Sequence, residues 1–160
     1  HRDLYFEHYL RLVDNHLQAN EAGPFPGVVK LLDDLAALPY APAIALLTGN
    51  IEEGAKRKLS TYDLWDRFTF GGFANDNEDR NLIAAAAKAK GSEYLERPLE
   101  GGEIVVIGDT PKDVACGKFI EARTLGVATG GASLDELVAC TPDWAVPDLT
   151  HLTAAEICGR

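Results

Sequence analysis

The chain alternates short apolar runs with segments in which apolar residues recur at helical spacing. Residues 104–107 read Ile-Val-Val-Ile, which is typical of a strand covered on both faces in a parallel sheet. The same reasoning predicts strands at 43–47, 68–70, 104–107, 123–128 and 144–146. Helices are predicted at 2–19, 28–38, 51–61, 81–90, 111–121, 134–139 and 153–158, with a connecting loop at 91–102. Because strands and helices alternate, the sequence predicts an α/β fold with a parallel sheet flanked by helices.

The strand predicted at 104–107 is followed by Gly-Asp-Thr-Pro-Lys-Asp, which contains two carboxylates. Asp109 is expected at the carboxyl end of the strand, where open α/β sheets bind ligands. Pro111 favours the first position of a helix, so Asp113 falls in its first turn. Two adjacent carboxylates repel one another unless a cation joins them, and Mg²⁺ fits oxygen ligands of this kind. From these residues alone, a turn-forming Asp109 and a helix-starting Asp113 are an equally good interpretation.

A second polar segment, Thr48-Gly49-Asn50, follows the strand predicted at 43–47. A hydroxyl, a glycine that permits close backbone approach and the N–H groups of a helix start favour binding of an anion such as phosphate. Asn50 with Glu53 also resembles a capping box for the helix that follows. An ordinary turn between a strand and a helix is the alternative interpretation.

Arg80 stands at the start of the helix predicted at 81–90, after the polar loop 75–79. One interpretation pairs it with Glu78 or Asp76 in an exposed salt bridge. The other directs its guanidinium into a phosphate site at the carboxyl edge of the sheet, since the arginine fork suits phosphate oxygens.

Composition restricts the classes of partner. The 160 residues are the length of one ordinary domain, and the formal charge of −10 argues against nucleic acid and anionic membranes. No apolar run approaches the roughly 20 residues that cross a bilayer. The three cysteines have no metal-like spacing, which favours reduced thiols in a cytoplasmic protein. Cys116, within a predicted helix, is expected in the core.

The polar segments occur in the order typical of a known superfamily. Thr48-Gly49-Asn50 after a strand, Arg80 at a helix start and the motif at 108–113 after another strand resemble the haloacid dehalogenase superfamily, in its phosphoglycolate phosphatase-like branch. The resemblance covers about residues 24–148 and includes the Ala-Thr-Gly-Gly segment that begins at 128. It implies the Rossmann-like core of that superfamily, together with a helical cap.

The resemblance also implies roles for individual residues. The Thr48 hydroxyl would hydrogen-bond the transferring phosphoryl group, with Gly49 and Asn50 beside it in the phosphate site. Arg80 would supply the cation that is usually a lysine in this family, with a different geometry. Asp109 would hold Mg²⁺, with Asp113 assisting directly or through water. Phosphoryl transfer needs this positioning and this neutralisation of charge.

One motif of the superfamily does not occur in this chain. In the superfamily, the motif Asp-x-Asp-Gly-Thr after the first strand supplies the nucleophilic Asp and the acid–base Asp. This motif is absent from the sequence, which contains no methionine and begins with His1. The resemblance places the corresponding strand between those at 43–47 and 104–107, where its loss would expose apolar edges. We therefore expect a segment upstream of His1, with 1–22 as the C-terminal helix of a cap and 23–160 as the core.

The expected function is Mg²⁺-dependent hydrolysis of a small phosphorylated metabolite through an aspartyl-phosphate, with the nucleophile outside this chain and the chain alone inactive. Two alternatives remain. A 2-haloacid dehalogenase has the same fold and needs no metal, although the pair Asp109 and Asp113 disfavours it. The other is a non-catalytic binding or regulatory domain that has lost its nucleophile. The substrate is not predicted, because the cap selects it in this family.

Overall fold

The computed structural model describes residues 23–159, in which helices and strands alternate. The α-helices are α1 (Val28–Ala36), α2 (Glu52–Ser60), α3 (Arg80–Tyr94), α4 (Pro111–Phe119), α5 (Leu134–Ala139) and α6 (Ala154–Ile157). The strands are β1 (Ala45–Leu47), β2 (Phe70–Gly72), β3 (Val105–Gly108), β4 (Arg123–Val127) and β5 (Trp144–Val146). Short 3₁₀ helices lie at Trp65–Arg67, Gly101–Glu103 and Leu149–His151. The predicted α/β fold is confirmed, whereas the predicted helix 2–19 and the cap segment 1–22 lie outside the described residues.

The strands form two sheets, and every pair is parallel, as predicted. β1 pairs with β2, with Leu46 opposite Gly71. In the other sheet β4 lies between β3 and β5, and Ile107 of β3 is opposite Leu125. Within residues 23–159, no strand pairs with the second edge of β1 or of β3.

Two apolar clusters form the core. The first lies against the three-stranded sheet and joins it to α1 and α6; its buried members are Leu31, Leu35, Leu125, Val127, Val146, Ala154 and Ile157. The second belongs chiefly to α3, α4 and β3; its buried members are Ala84, Val106, Cys116, Ile120 and Ala122. Leu47 of β1 packs against this second cluster, which also contains Val106 of β3. Both sheets therefore share one packed layer, and Cys116 is fully buried there, as predicted.

β1 and β3 are less covered than their apolar sequences predict. Ile107 is 39% exposed, Ala45 is exposed, and Leu46 and Leu47 are only partly buried. The prediction that these two strands are buried on both faces is therefore wrong for the described residues. The physical reason is that each strand has a paired neighbour on only one of its edges.

One helix is longer than the sequence predicts. α3 continues through Gly91 to Tyr94, where a loop from 91 onward is predicted. Gly91 is buried, and a Cβ on it would come within 2.9 Å of Leu99 Cδ1. The glycine thus allows close packing of the helix against the following segment instead of ending the helix. Of the helices in the described part of the chain, none combines the length and the apolar character that a membrane crossing requires.

Candidate active site

The start of α4 holds a nearly buried carboxylate. Thr110 is the N-cap of α4, Pro111 is its first residue, and Asp113 is its third. Asp113 Oδ2 accepts hydrogen bonds from the Thr110 hydroxyl at 2.8 Å and from the backbone N–H groups of Thr110 and Asp109 at 3.1 and 3.2 Å. Gly108 leaves room for this carboxylate, because a Cβ on it would come within 2.5 Å of Asp113 Oδ2.

Arg80, the first residue of α3, donates from its guanidinium to the other oxygen of the same carboxylate, Asp113 Oδ1. The side chains of Arg80 and Asp113 are 30% and 7% exposed, so the ion pair is largely buried. Arg80 Nε is also buried and has no hydrogen-bond partner among residues 23–159. The interpretation that Arg80 forms a salt bridge with Glu78 or Asp76 is wrong, since Arg80 pairs with Asp113 and Asp76 pairs with Lys90.

The turn after β1 contacts the same guanidinium. A Cβ on Gly49 would come within 3.0 Å of Arg80 Nη1, so a side chain there would compete with the guanidinium for space. Thr48 Oγ1 accepts a hydrogen bond from the Asn50 N–H at 3.1 Å, which leaves the hydroxyl hydrogen able to donate to an anion. The structure therefore brings Gly49, Arg80 and Asp113 together at the carboxyl ends of β1 and β3.

A residue of the loop between β2 and α3 holds this turn in place. Asn75 Oδ1 accepts a hydrogen bond from the Glu52 N–H, the first of α2, at 2.7 Å. The capping box predicted from Asn50 and Glu53 is wrong, because α2 begins one residue later, with Ile51 as its N-cap. The N–H of Glu52 is capped instead by Asn75, which lies 23 positions further along the chain. No local pattern around Asn75 predicts that contact, which depends on the parallel pairing of β1 with β2.

Asp109 lies directly after β3 and is held by the turn that follows β4. The Gly131 N–H donates to Asp109 Oδ2 at 3.1 Å. Asp109 Oδ1 accepts no hydrogen bond from any of the residues described, and the side chain is partly buried. The role of Gly131 is not predicted from the sequence, where it stands only as the last residue of the Ala-Thr-Gly-Gly segment that begins at 128. The register of β3 beside β4 brings the two segments together.

An apolar pocket of about 220 Å³ opens beside Asp109. It is lined by Phe25, Pro26, Val28, Ile107, Gly108, Asp109, Val127, Thr129 and Leu149. Asp109 is the one charged residue in this lining, so the pocket itself does not suit a phosphate. The groups that suit an anion, Arg80 and the turn at Gly49, are not part of this lining.

Cys116 lies beside the ion pair, three residues after Asp113 in α4. Its thiol donates to the backbone carbonyl of Asp113, with an Sγ–O distance of 3.2 Å. Burial raises the pKa of the Cys116 thiol, and the negative charge of Asp113 adds to the increase. The thiol is therefore neutral and is not a candidate nucleophile.

Of the two aspartates, Asp109 is the one that suits Mg²⁺. Both oxygens of Asp113 are already bonded by protein donors, whereas Asp109 retains one oxygen for a ligand. Residues 23–159 contain no group of three or more His, Cys, Asp or Glu side chains that could hold a metal ion. Mg²⁺ commonly binds through one or two carboxylates together with waters and substrate phosphates. Asp109 therefore suits an open site of that kind, and the residues described do not form a closed cage.

Comparisons with known proteins match part of the chain to a family model and its fold to solved structures. Residues 80–152 match the family model described as HAD-hydrolase-like. A haloacid dehalogenase-like family hydrolase from Streptococcus pneumoniae superposes with a TM-score of 0.69 at 15% identity, covering 81% of this chain and 58% of that one. A predicted phosphatase from Clostridium acetobutylicum gives 0.70 at 19% identity, covering 85% and 60%. A predicted phosphoglycolate phosphatase from Haemophilus somnus 129PT gives 0.70 at 17% identity, covering 96% and 61%.

The chain has the fold of the haloacid dehalogenase-like hydrolases. At 15 to 19% identity, the structural likeness concerns the fold alone. The chain spans about three fifths of the length of these solved structures. A comparison with curated proteins gives no match. The family match begins at Arg80 and includes Asp109 and Asp113.

Proposed function

We propose that the complete protein is a Mg²⁺-dependent phosphomonoester hydrolase that acts on a small phosphorylated metabolite through an aspartyl-phosphate. The meeting of Arg80 with Asp113 and Gly49 carries the proposal. A cation, an acidic pair and the backbone of a helix start at one sheet edge suit a phosphoryl group. The haloacid dehalogenase-like fold and its similarity to predicted phosphatases support the same reaction class.

In this proposal the phosphoryl group binds between the turn after β1 and the start of α3. The Thr48 hydroxyl donates to one phosphoryl oxygen, and the backbone of Gly49 and Asn50 lines the site. Arg80 neutralises charge on the equatorial oxygens, where phosphoryl transfer gains most from a fixed cation. Asp113 anchors the guanidinium from behind, so the cation is already oriented before the substrate binds.

Asp109 would hold Mg²⁺ through its free oxygen, and Asp113 would act on the metal through water. The engagement of both Asp113 oxygens by protein donors supports this division of roles. Bound Mg²⁺ supplies positive charge to the phosphoryl oxygens.

The nucleophilic Asp and the acid–base Asp would lie on a strand upstream of this chain. The unpaired edges of β1 and β3 support this, because both strands pack in one layer and a parallel strand between them would join the two sheets. The nucleophile would attack phosphorus and displace the alcohol, which takes a proton from the acid–base Asp. Water would then hydrolyse the aspartyl-phosphate and release phosphate. Residues 1–22 would belong to the cap and 23–160 to the core.

The test uses the full-length protein, including the sequence upstream of His1. Phosphate release from p-nitrophenyl phosphate and from a panel of phosphorylated metabolites is measured with Mg²⁺ and with EDTA. We expect Mg²⁺-stimulated release, and a loss of about 100-fold or more on Asp109→Asn, the size of effect seen when one group that stabilises transition-state charge is removed. Asp135→Asn, at an exposed position of α5, is the matched control and should retain activity.

Turnover that Mg²⁺ does not stimulate, or an Asp109→Asn variant with full activity, would refute the proposed function. Release of chloride from a 2-haloacid without Mg²⁺ would identify a dehalogenase instead. Binding of phosphate without turnover of either substrate class would identify a binding domain.

A further inference from the structure

Thr110 contacts the supports of both acidic side chains. Its hydroxyl donates a hydrogen bond to the carboxylate of Asp113, which also accepts one from Arg80. Its methyl group lies against Gly131, whose N–H holds Asp109. One side chain thus connects the group expected to bind phosphate with the group expected to bind metal.

The hydroxyl contact determines how Asp113 faces Arg80. Thr110 Oγ1 donates to Asp113 Oδ2 at 2.8 Å, the shortest of the three hydrogen bonds to that oxygen. With Oδ2 held toward the start of α4, Oδ1 points to the guanidinium. Without the hydroxyl, two backbone N–H groups remain, and the carboxylate can rotate away from Arg80.

The methyl contact determines where Gly131 can lie. A Cβ built on Gly131 would come within 2.5 Å of Thr110 Cγ2, so the methyl occupies the space beside the glycine. The next two atoms near that point, at 3.4 and 3.8 Å, both belong to Asp109 itself. Gly131 is exposed, and of the three atoms nearest to that point only the Thr110 methyl carbon comes from a residue other than Asp109.

We propose that Thr110 is a positioning residue with two separable roles. Its hydroxyl fixes the pair of Asp113 and Arg80, and its methyl fixes the contact of Gly131 with Asp109. Serine retains only the hydroxyl and valine retains only the methyl, so neither residue can replace threonine here. The catalytic consequence rests on the proposed function, whereas the two contacts do not.

The experiment compares Thr110→Val with Thr110→Ser in the full-length protein. NMR spectra of the ligand-free protein report the Arg80 Nε–H signal and the Gly131 amide signal. Calorimetric titrations with MgCl₂ and with inorganic phosphate report the two affinities. Thr110→Val should move the Arg80 signal and weaken phosphate binding, and Thr110→Ser should move the Gly131 signal and weaken Mg²⁺ binding. Each affinity should fall roughly 10- to 100-fold, as is typical when a residue that orients a ligand group is lost.

Thr153 offers a matched control. It caps α6 with the same reciprocal pattern, in which its hydroxyl donates to Glu156 Oε2 at 2.8 Å and accepts from the Glu156 N–H at 3.2 Å. Thr153→Val therefore removes an equivalent helix cap away from the acidic pair. It should lower stability while leaving both NMR signals and both affinities unchanged.

Equal effects of Thr110→Val and Thr153→Val on the Arg80 and Gly131 signals would overturn the proposal and leave Thr110 as an ordinary cap. A Thr110→Val or Thr110→Ser variant that moves both signals together would also overturn it. If Thr110→Val does not fold, Thr110→Ala replaces it. Because alanine lacks both the hydroxyl and the methyl group, Thr110→Ala should move both NMR signals, and a variant with unchanged signals would overturn the proposal. Failure of the wild-type protein to bind Mg²⁺ and phosphate would refute the proposed function, while the ligand-free spectra would still decide the role of Thr110.

Discussion

Removing the guanidinium of Arg80 should destabilise the protein more than removing an arginine from an exposed ion pair. The Arg80→Ala variant leaves the carboxylate of Asp113, whose side chain is only 7% exposed, without its cation. A charge that is buried and unpaired is costly because it has lost both water and its counter-ion. The perturbation therefore tests whether the ion pair is buried as the structure describes.

The expected magnitude follows from the partners that remain. Breaking a buried pair by removing one member costs about 3–5 kcal/mol. Asp113 keeps the Thr110 hydroxyl and two backbone N–H groups, and Arg80 is itself 30% exposed, so the cost falls below that range. We expect a loss of about 2–3 kcal/mol, which at a urea m-value of about 2 kcal/mol/M shifts the unfolding midpoint down by about 1–1.5 M.

Arg67→Ala is the matched control. Arg67 is also 30% exposed, but its partner Asp33 is 61% exposed, so a similar amount of arginine side chain is lost without burying a charge. Exposed ion pairs contribute about 0.2–1 kcal/mol. Urea unfolding followed by tryptophan fluorescence measures both variants under the same conditions.

The reasoning is wrong if Arg80→Ala lowers the midpoint no more than Arg67→Ala. A second arm adds Asp113→Asn, which removes the charge but keeps an oxygen that can accept the Thr110 hydrogen bond. Asp113→Asn should cost less in the Arg80→Ala background than in the wild-type protein. Additive losses would mean that the two side chains are not coupled.

Three further outcomes are expected. Gly108→Ala should lower the free energy of unfolding by about 1–3 kcal/mol in the same assay, because the added Cβ overpacks against the carboxylate of Asp113. Gly102→Ala is the control and should not lower it, because the space around Gly102 is open. Burial alone would raise the pKa of Asp76, but a backbone N–H and Lys90 together lower it. The wild-type protein should therefore exceed Asp76→Asn in free energy of unfolding by its full amount above about pH 5, and this difference should decline as the pH falls below about 4. A difference that does not change with pH would contradict this. Cys116, being fully buried with a raised thiol pKa, should react with a thiol reagent only on unfolding, after the two partly exposed cysteines.

The sequence by itself determines the alternation of elements and the segments that carry polar groups. Apolar runs such as 104–107 predict strands because a short stretch of Ile and Val suits a pleated surface and little else. Pro111 and the flanking polar residues likewise mark the start of α4, since proline fits the first helical position. These are local effects, in which neighbouring residues decide the conformation.

Only the tertiary structure decides which partners meet. Arg80 has acidic residues at 76, 78 and 79 near it in sequence but pairs with Asp113, because the packing of α3 beside α4 brings their first turns together. Asn75 caps α2, and Gly131 holds Asp109, for the same reason: parallel strands bring distant turns to one edge. The partial exposure of β1 and β3 is also a tertiary property, since an apolar run specifies a strand but does not specify what lies beside it.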